Sequence, residues 1–415
     1  MFPIRFLRMK DYCPACLGAG LRSFYLVGRI PVHSVINIGS REEALGFTRG
    51  DLRLAVCQEC GLIFNQCFDP EQMHYGVHCE ETQGFSPVFS RWHRNLAQDL
   101  IQRFDLRNKS ILEIGCGKGE FLTMLCEIAE AHGVGFDPAY IPERNHSPAR
   151  KRIQFISDLY SEKYSSIQAD FVCCKMTLEH IGEPLGFLET VRRSLGERYQ
   201  THVFFQVPNM RRVLTEVAFW DIYYEHCNYF SLGSLARIFR RAGFNVQDLM
   251  NDYAGQYIMI DAIPGTTQNA LELPEEEGLE TLLQELSCFE RQAAELIAVS
   301  RNELERNREE RRRVVLWGSG SKAVSFLSTI GILEAIQYVV DINPYRQGTY
   351  LAGNGQLVVP PEFLVEYRPC EVLVMNEVYV QEVRRDLMRF GLKPELRPVC
   401  DRFPAAATAA GSAHC

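Results

Sequence analysis

Eight residues, YYEHCNYF from Tyr223 to Phe230, set three tyrosines, a glutamate, a histidine and a cysteine side by side just beyond a strand-like run, Val203-Phe-Phe-Gln-Val-Pro-Asn209. Imidazole titrates near neutrality, so His226 can take up a proton. Glu225 can orient or charge-stabilise a partner, and a hydroxyl such as that of Tyr223 can donate to an oxygen that gains charge. The same stretch also reads as packing, with Tyr223, Tyr224, Tyr229 and Phe230 in a core and His226 capping a buried polar group. On residue types alone both readings stand.

Two further patterns carry chemistry by their spacing. Cys13-Pro-Ala-Cys16 and Cys57-Gln-Glu-Cys60-Gly61 are paired CxxC knuckles. Each short knuckle turns both sulfurs to one side, so four thiolates can meet tetrahedrally on one zinc ion. No open coordination position is evident, which points to a folding role for the metal. The interval of 40 residues between the knuckles is long for a zinc finger, and a small inserted hairpin is expected there. The second pattern is Ser110-Ile-Leu-Glu-Ile-Gly-Cys-Gly-Lys-Gly-Glu-Phe-Leu122, a strand that runs into Gly115, Gly117 and Gly119 and then an apolar helix. Glycines at such a turn let a ligand approach the backbone, and the helix start offers free N–H groups. The next strand, Ala131-His-Gly-Val-Gly-Phe-Asp137, ends in an acid about 20 residues on, where a carboxylate can accept from both ribose hydroxyls.

The elements that must position these residues fall into three sections and a tail. Residues 1–80 hold the cysteines. Residues 81–270 alternate strands and helices: a helical stretch from Phe89 to Phe104, the two strands above, Phe155-Ile-Ser-Asp158, and Ala169-Asp-Phe-Val-Cys-Cys174 leading into Lys-Met-Thr-Leu-Glu-His180. That succession predicts a doubly wound α/β sheet. Residues 271–403 open with a long helix, apolar at Leu279, Leu282, Leu283, Leu286, Phe289, Ala293, Leu296 and Ile297. A second strand–glycine turn–helix unit follows, Val314-Val-Leu-Trp-Gly-Ser-Gly-Ser-Lys322, and then a strand ending at Asp341. Residues 404–415 are Ala-rich and are expected to be disordered.

Composition excludes several classes. With 46% hydrophobic and 23% charged residues in 415, the chain has room for two or three cores. Its apolar runs are strand-sized, so no membrane span is expected. The net charge of -8 argues against a nucleic-acid surface, and the run Arg308 to Arg313, interleaved with acids, reads as a solvated helix face. The start, MFPIRFLRMKDYC, shows neither an apolar core nor a cleavage site, so no signal peptide is expected. Fifteen cysteines spread through so long a chain fit reduced thiols, and the cytoplasm is the expected compartment.

The GxGxG spacing, with Glu113 before it and LEH after the fourth strand, resembles the Rossmann-like S-adenosylmethionine (SAM) dependent methyltransferases. The resemblance implies that the glycine turn lies against the methionine part of SAM, that Asp137 holds the ribose and that Asp158 neighbours the adenine. The three sections in order resemble the deoxysugar C-methyltransferases over roughly residues 10 to 400, through CxxC…CxxCG, LEIGCGKG, LEH, YYEHCNYFS, WGSGSKA, VVDINPYRQG and the Val-Pro-Pro of Val359 to Pro361. The implied fold is an α/β class I methyltransferase domain between a small zinc-binding domain and a second Rossmann-like domain. The implied activity is methylation of the carbon beside the ketone of a nucleotide-linked keto-deoxysugar, through an enolate. His226 is then the base, helped by Tyr223 and Glu225, with His180 and Tyr75 also facing the sugar. Lys322 and the Gly318–Gly320 turn either cradle a substrate diphosphate or form an empty turn. Three places depart from the family pattern: Gln206 stands for a glutamate, Ala254-Gly-Gln-Tyr257 for a Gly-Gly-Ser turn, and Met375-Asn376 for a Trp-Asn pair. Other readings are an O- or N-methyltransferase, or a non-catalytic protein that binds SAM or a nucleotide sugar.

Overall fold

The computed structural model describes residues 9–73, 75–265 and 271–402. The tail expected to be disordered, 404–415, lies outside them.

The first section is built on three strands, β1 (Leu21–Pro31), β2 (Arg49–Cys57) and β3 (Ile63–Asn65). β1 and β2 pair antiparallel and fill the interval between the two CxxC knuckles, with the short helix Arg41–Leu45 between them. The second section supplies β4 (Ser110–Ile114), β5 (His132–Phe136), β6 (Ile153–Ile156), β7 (Phe171–Lys175), β8 (His202–Pro208), β9 (Asn228–Tyr229), β10 (Phe244–Asp252) and β11 (Tyr257–Pro264). Seven of these form one sheet in the order β10-β11-β8-β7-β4-β5-β6. All neighbours from β6 to β8 run parallel, and β11 enters antiparallel to β8. Strands buried on both faces need near-continuous apolar runs, which is what Ile111, Leu112, Ile114, Phe171, Val172, Val203, Phe204 and Phe205 provide. This is the class I methyltransferase sheet, and its ligand edge lies at the carboxyl ends of β4, β5 and β7.

The exception is β9. It leaves the large sheet and pairs with β3, completing a four-stranded sheet β1-β2-β3-β9 with the first section. Residues Tyr223 to Cys227 therefore hang directly on the seam between the two sections.

The third section begins with the helix Leu279–Glu309, whose Leu282, Leu286, Phe289 and Ala293 are buried and whose Phe289 ring meets Phe24 and Tyr25 of β1 edge-on. Arg308 and Arg311 at its end are exposed. The strands β12 (Val314–Trp317), β13 (Ile336–Val340), β14 (Leu357–Val359), β15 (Glu371–Val374) and β16 (Glu395–Pro398) follow. They form an all-parallel sheet in the order β14-β13-β12-β15-β16, a second Rossmann-like unit. Among the described residues no helix is long and apolar enough to cross a membrane.

Candidate active site

One cavity of about 750 Å³ is lined by all three sections, including Tyr75 and Glu80 from the first, Gly115, Asp137, His180 and His226 from the second, and Ser321 and Arg346 from the last unit.

On the cofactor side, Gly115, Gly117 and Gly119 take positive φ angles of 71, 54 and 79°, the left-handed region that favours glycine. The loop is also closely covered. A Cβ at Gly119 would come within 2.6 Å of Phe155, and one at Gly117 within 2.9 Å of Glu81. Asp137 follows β5 and accepts from the N–H of Gly117 at 2.8 Å and of Ala139 at 2.7 Å, so it ties the turn to the next strand. Burial holds its carboxyl above the usual range. Glu113 sits beneath the turn, 2% exposed, with Oε2 unpartnered, and burial pushes it up to about 7. Asp158 follows β6 at the cavity rim. It accepts from the Tyr164 hydroxyl at 2.6 Å, and that bond together with Lys163 holds it below the usual range. The turn, Glu113, Asp137 and Asp158 all line the one cavity.

The YYEH motif separates into residues that pack and residues that line the cavity. Tyr224 is fully buried against Phe68, with its hydroxyl donating to the Cys67 carbonyl and accepting from the Asp69 N–H. The Tyr229 hydroxyl donates to the Tyr223 carbonyl at 2.8 Å and braces the loop from below. Tyr223, Glu225 and His226 line the cavity. The His226 ring lies 4.1 Å from that of Tyr223 and 4.7 Å from that of His180, and its Nδ1 has no partner. Burial, reinforced by His180, pushes the His226 pKa well down, so the ring is neutral. Burial also lowers His180. The Nδ1 of His180 lies 2.9 Å from both the Tyr75 hydroxyl and the Glu225 carbonyl. Burial raises Tyr75 and Tyr223 well above 10, so both hydroxyls keep their protons and remain donors.

Glu225 turns elsewhere. Its carboxylate meets His33 Nδ1 at 3.3 Å, accepts from Ser34 and accepts from Ser321 at 3.3 Å. It thus joins the first and third sections at the seam, and its hydrogen bonds do not reach the His226 ring.

From the last unit, the Gly318–Gly320 turn is locked internally. Asp341 accepts from the N–H and hydroxyl of Ser319 and from the Asn343 N–H. Lys322 reaches away from that turn to Asp221 at 2.9 Å and Gln256 at 3.1 Å. Gln256 and Asn376 exchange two amide hydrogen bonds of 2.9 Å each. Two of the places where the chain departs from the family pattern are therefore one bonded pair. Gln206 is buried in β8 with Oε1 unpartnered. Residue types missed in the sequence are His33 and Ser34, which carry no local motif, and Asp221, two residues before the base motif. Arg346 lies inside the quoted VVDINPYRQG. It is buried at the cavity wall, bonded to the carbonyls of Glu80 and Ser319, with Nε unpartnered.

Outside the cavity, the sulfurs of Cys13, Cys16, Cys57 and Cys60 all lie within 4.8 Å of one another, a cluster able to hold a metal ion. The N–H groups of Ala15 and Gly18 point at Cys13 Sγ and Cys16 Sγ, each at 3.4 Å.

A family profile described as a methyltransferase domain matches residues 89–249, and one described as a C-methyltransferase C-terminal domain matches residues 264–392. Each profile covers under half of the chain, and together they mark a methyltransferase domain followed by a C-methyltransferase C-terminal domain. Between them the two matches take in the glycine turn, the YYEH motif and four of the five strands of the second Rossmann-like sheet, β12 to β15. C-methyltransferase NovU of Streptomyces niveus is 24% identical over 400 residues, 91% of this chain and 92% of that one. Solved structures match over less of the chain. A SAM-dependent methyltransferase from Aquifex aeolicus is 17% identical over 43% of this chain and 94% of its own, with a TM-score of 0.33. The 1,6-didemethyltoxoflavin-N1-methyltransferase of Burkholderia thailandensis, solved with S-adenosylhomocysteine, is 16% identical over 44% and 84%, with a TM-score of 0.33. The chain is a SAM-dependent methyltransferase, and a non-catalytic binding role is set aside.

Proposed function

We propose that the enzyme methylates the carbon alpha to the ketone of a nucleotide-linked keto-deoxysugar, with His226 as the base. The observation that carries this reading is a neutral, buried imidazole beside Tyr223, with Tyr75 on the neighbouring His180, in the same cavity as the glycine turn and Asp137. Bound SAM supplies an electrophilic methyl group there. His226 takes the alpha proton, the C–H pair becomes the enolate double bond, and the carbonyl pair moves to oxygen. Tyr223 or Tyr75 donates to that oxygen as oxyanion donors do. The alpha carbon is then the nucleophile for the methyl group that SAM, held by the glycine turn and Asp137, would supply, with the sulfur of S-adenosylhomocysteine as leaving group. Sugar and nucleotide would lie toward Lys322 and Arg346, whose positive charge suits a diphosphate.

We also infer structural zinc in the four-cysteine cluster. Tetrahedral Zn–S bonds of about 2.3 Å place sulfurs about 3.8 Å apart. The pairs Cys13–Cys60 and Cys16–Cys57 lie at 3.5 and 3.4 Å, and N–H donors to sulfur support thiolates.

The test of the base is His226→Ala. Turnover on nucleotide ketosugars should fall about 10²- to 10⁴-fold, the range for losing a positioned base, with SAM affinity nearly unchanged. With S-adenosylhomocysteine in place of SAM, wild type should exchange the alpha proton for deuterium and the variant should not. Near-normal exchange in His226→Ala, lost instead in His180→Ala, would move the base to the LEH histidine.

A further inference from the structure

Lys175 ends β7, one residue beyond Cys174, which pairs with Ile114 just before the glycine turn. Its ammonium lies 2.6 Å from His93 Nε2 and 3.7 Å from the centre of the Phe121 ring. Phe121 is the second residue of the helix that follows the turn, and the His93 and Phe121 rings stack at 4.6 Å. All three side chains line the cavity. Burial drives the His93 pKa down to about 2, so the ring is neutral and Nε2 accepts from the ammonium. That uses one of three N–H donors. Among the described residues no carboxylate stands within ion-pair distance of Lys175. Glu113, on the strand beside β7, is the largest source of compensation in the field, and its Oε2 is itself unpartnered.

A desolvated ammonium without an anion is expensive to keep in a fold unless something supplies the negative charge. Here it opens onto the cavity, beside a buried carboxyl, at the mouth of the glycine turn. That pairing is complementary to an α-amino acid, which brings a carboxylate and an ammonium on one carbon. We propose that Lys175 receives the α-carboxylate of the methionine part of SAM, and that His93 and Phe121 position its ammonium. The inference rests on the assignment of SAM to this cavity, and it adds the group that would distinguish a full methionine tail from a bare thioether.

The test is calorimetric titration of the full chain with two ligands, S-adenosylhomocysteine and 5′-methylthioadenosine, which share the adenosine and thioether but not the amino acid. Lys175→Met should weaken S-adenosylhomocysteine about 10- to 100-fold, the range for losing a charged hydrogen-bond partner, and leave 5′-methylthioadenosine within about twofold. Lys175→Arg should recover part of the loss. Equal weakening of both ligands, or of neither, would overturn the proposal. Should Lys175→Met fail to fold, wild type decides alone: it should bind S-adenosylhomocysteine at least about tenfold more tightly than 5′-methylthioadenosine, and equal binding would overturn the assignment. Asp137→Ala separates this from the underlying site assignment. It should weaken both ligands. If it weakens neither, SAM is not in this cavity and the proposal falls with that reading; if it weakens both while Lys175→Met is silent, only the role of Lys175 falls.

Discussion

Replacing Glu225 with glutamine should loosen the joint between sections before it slows the chemistry. The carboxylate is 2% exposed and has three partners, His33, Ser34 and Ser321, from opposite ends of the chain. Burial opposes its ionisation, yet the bond from His33 and the field of His180 hold its carboxyl below the usual range. The three contacts are therefore charge-assisted, worth roughly 1.5–3 kcal/mol each against roughly 0.5–1.5 for neutral bonds. Glutamine keeps one acceptor oxygen and removes the charge, so the expected loss is about 2–4 kcal/mol of local stability. Hydrogen exchange reads this directly. Backbone amides around Ser34 and Ser321 should exchange about 30- to 1000-fold faster in Glu225→Gln, while those in β4 and β7 keep their protection. If exchange at both segments stayed at the wild-type rate while turnover collapsed, Glu225 would be part of the proton-transfer machinery and the joint reading would be wrong.

Metal removal should act on folding: elemental analysis should find about one zinc per chain, and Cys57→Ser or a chelator should lower the melting temperature, with a metal-free protein of full stability as the contrary result. Asp137→Ala should weaken SAM by roughly 1.5–3 kcal/mol in a binding titration, and an equal effect from Asp341→Ala would reverse the two Rossmann-like units. Glu179 has both carboxylate oxygens buried and unpartnered, and burial raises its pKa to about 8. A raised carboxyl adds stability that is full below the unfolded value near 4.5 and is lost as pH rises toward 8. The advantage of Glu179→Gln over wild type should therefore grow between pH 5 and 8, by up to about 1.4 kcal/mol per pH unit. Parallel melting curves across that range would refute it.

What the sequence disclosed is what local spacing encodes. Two CxxC pairs, GxGxG and an acid a fixed distance on are short-range patterns, and each lands where its spacing put it. The base motif was only half legible. Nothing in YYEH says that Tyr224 bonds into the cysteine-bearing section while Tyr223, its neighbour, faces the cavity; that follows from β9 leaving one sheet for another. The partners of Glu225 were out of reach for the same reason, since His33 lies 192 residues before it and Ser321 lies 96 after. Lys175 opened the segment leading into LEH and His93 lay in a helix, with no spacing to link them, and only packing sets that lysine against a neutral imidazole and an aromatic ring.

The pairing of β9 with β3 also sets a timetable. Ile63 and Tyr229 are neighbours in space, yet roughly 165 residues of chain must be made between them. At about 5–20 residues per second, the ribosome leaves the edge of β3 open for on the order of ten to thirty seconds after the cysteine section has emerged. For that interval the first section is a three-stranded sheet with an unpaired rim, a template for any passing strand. Its natural guest arrives only with the YYEH loop, so the nascent chain seals its own sticky edge as that loop is fixed, before the last unit is made to close the cavity.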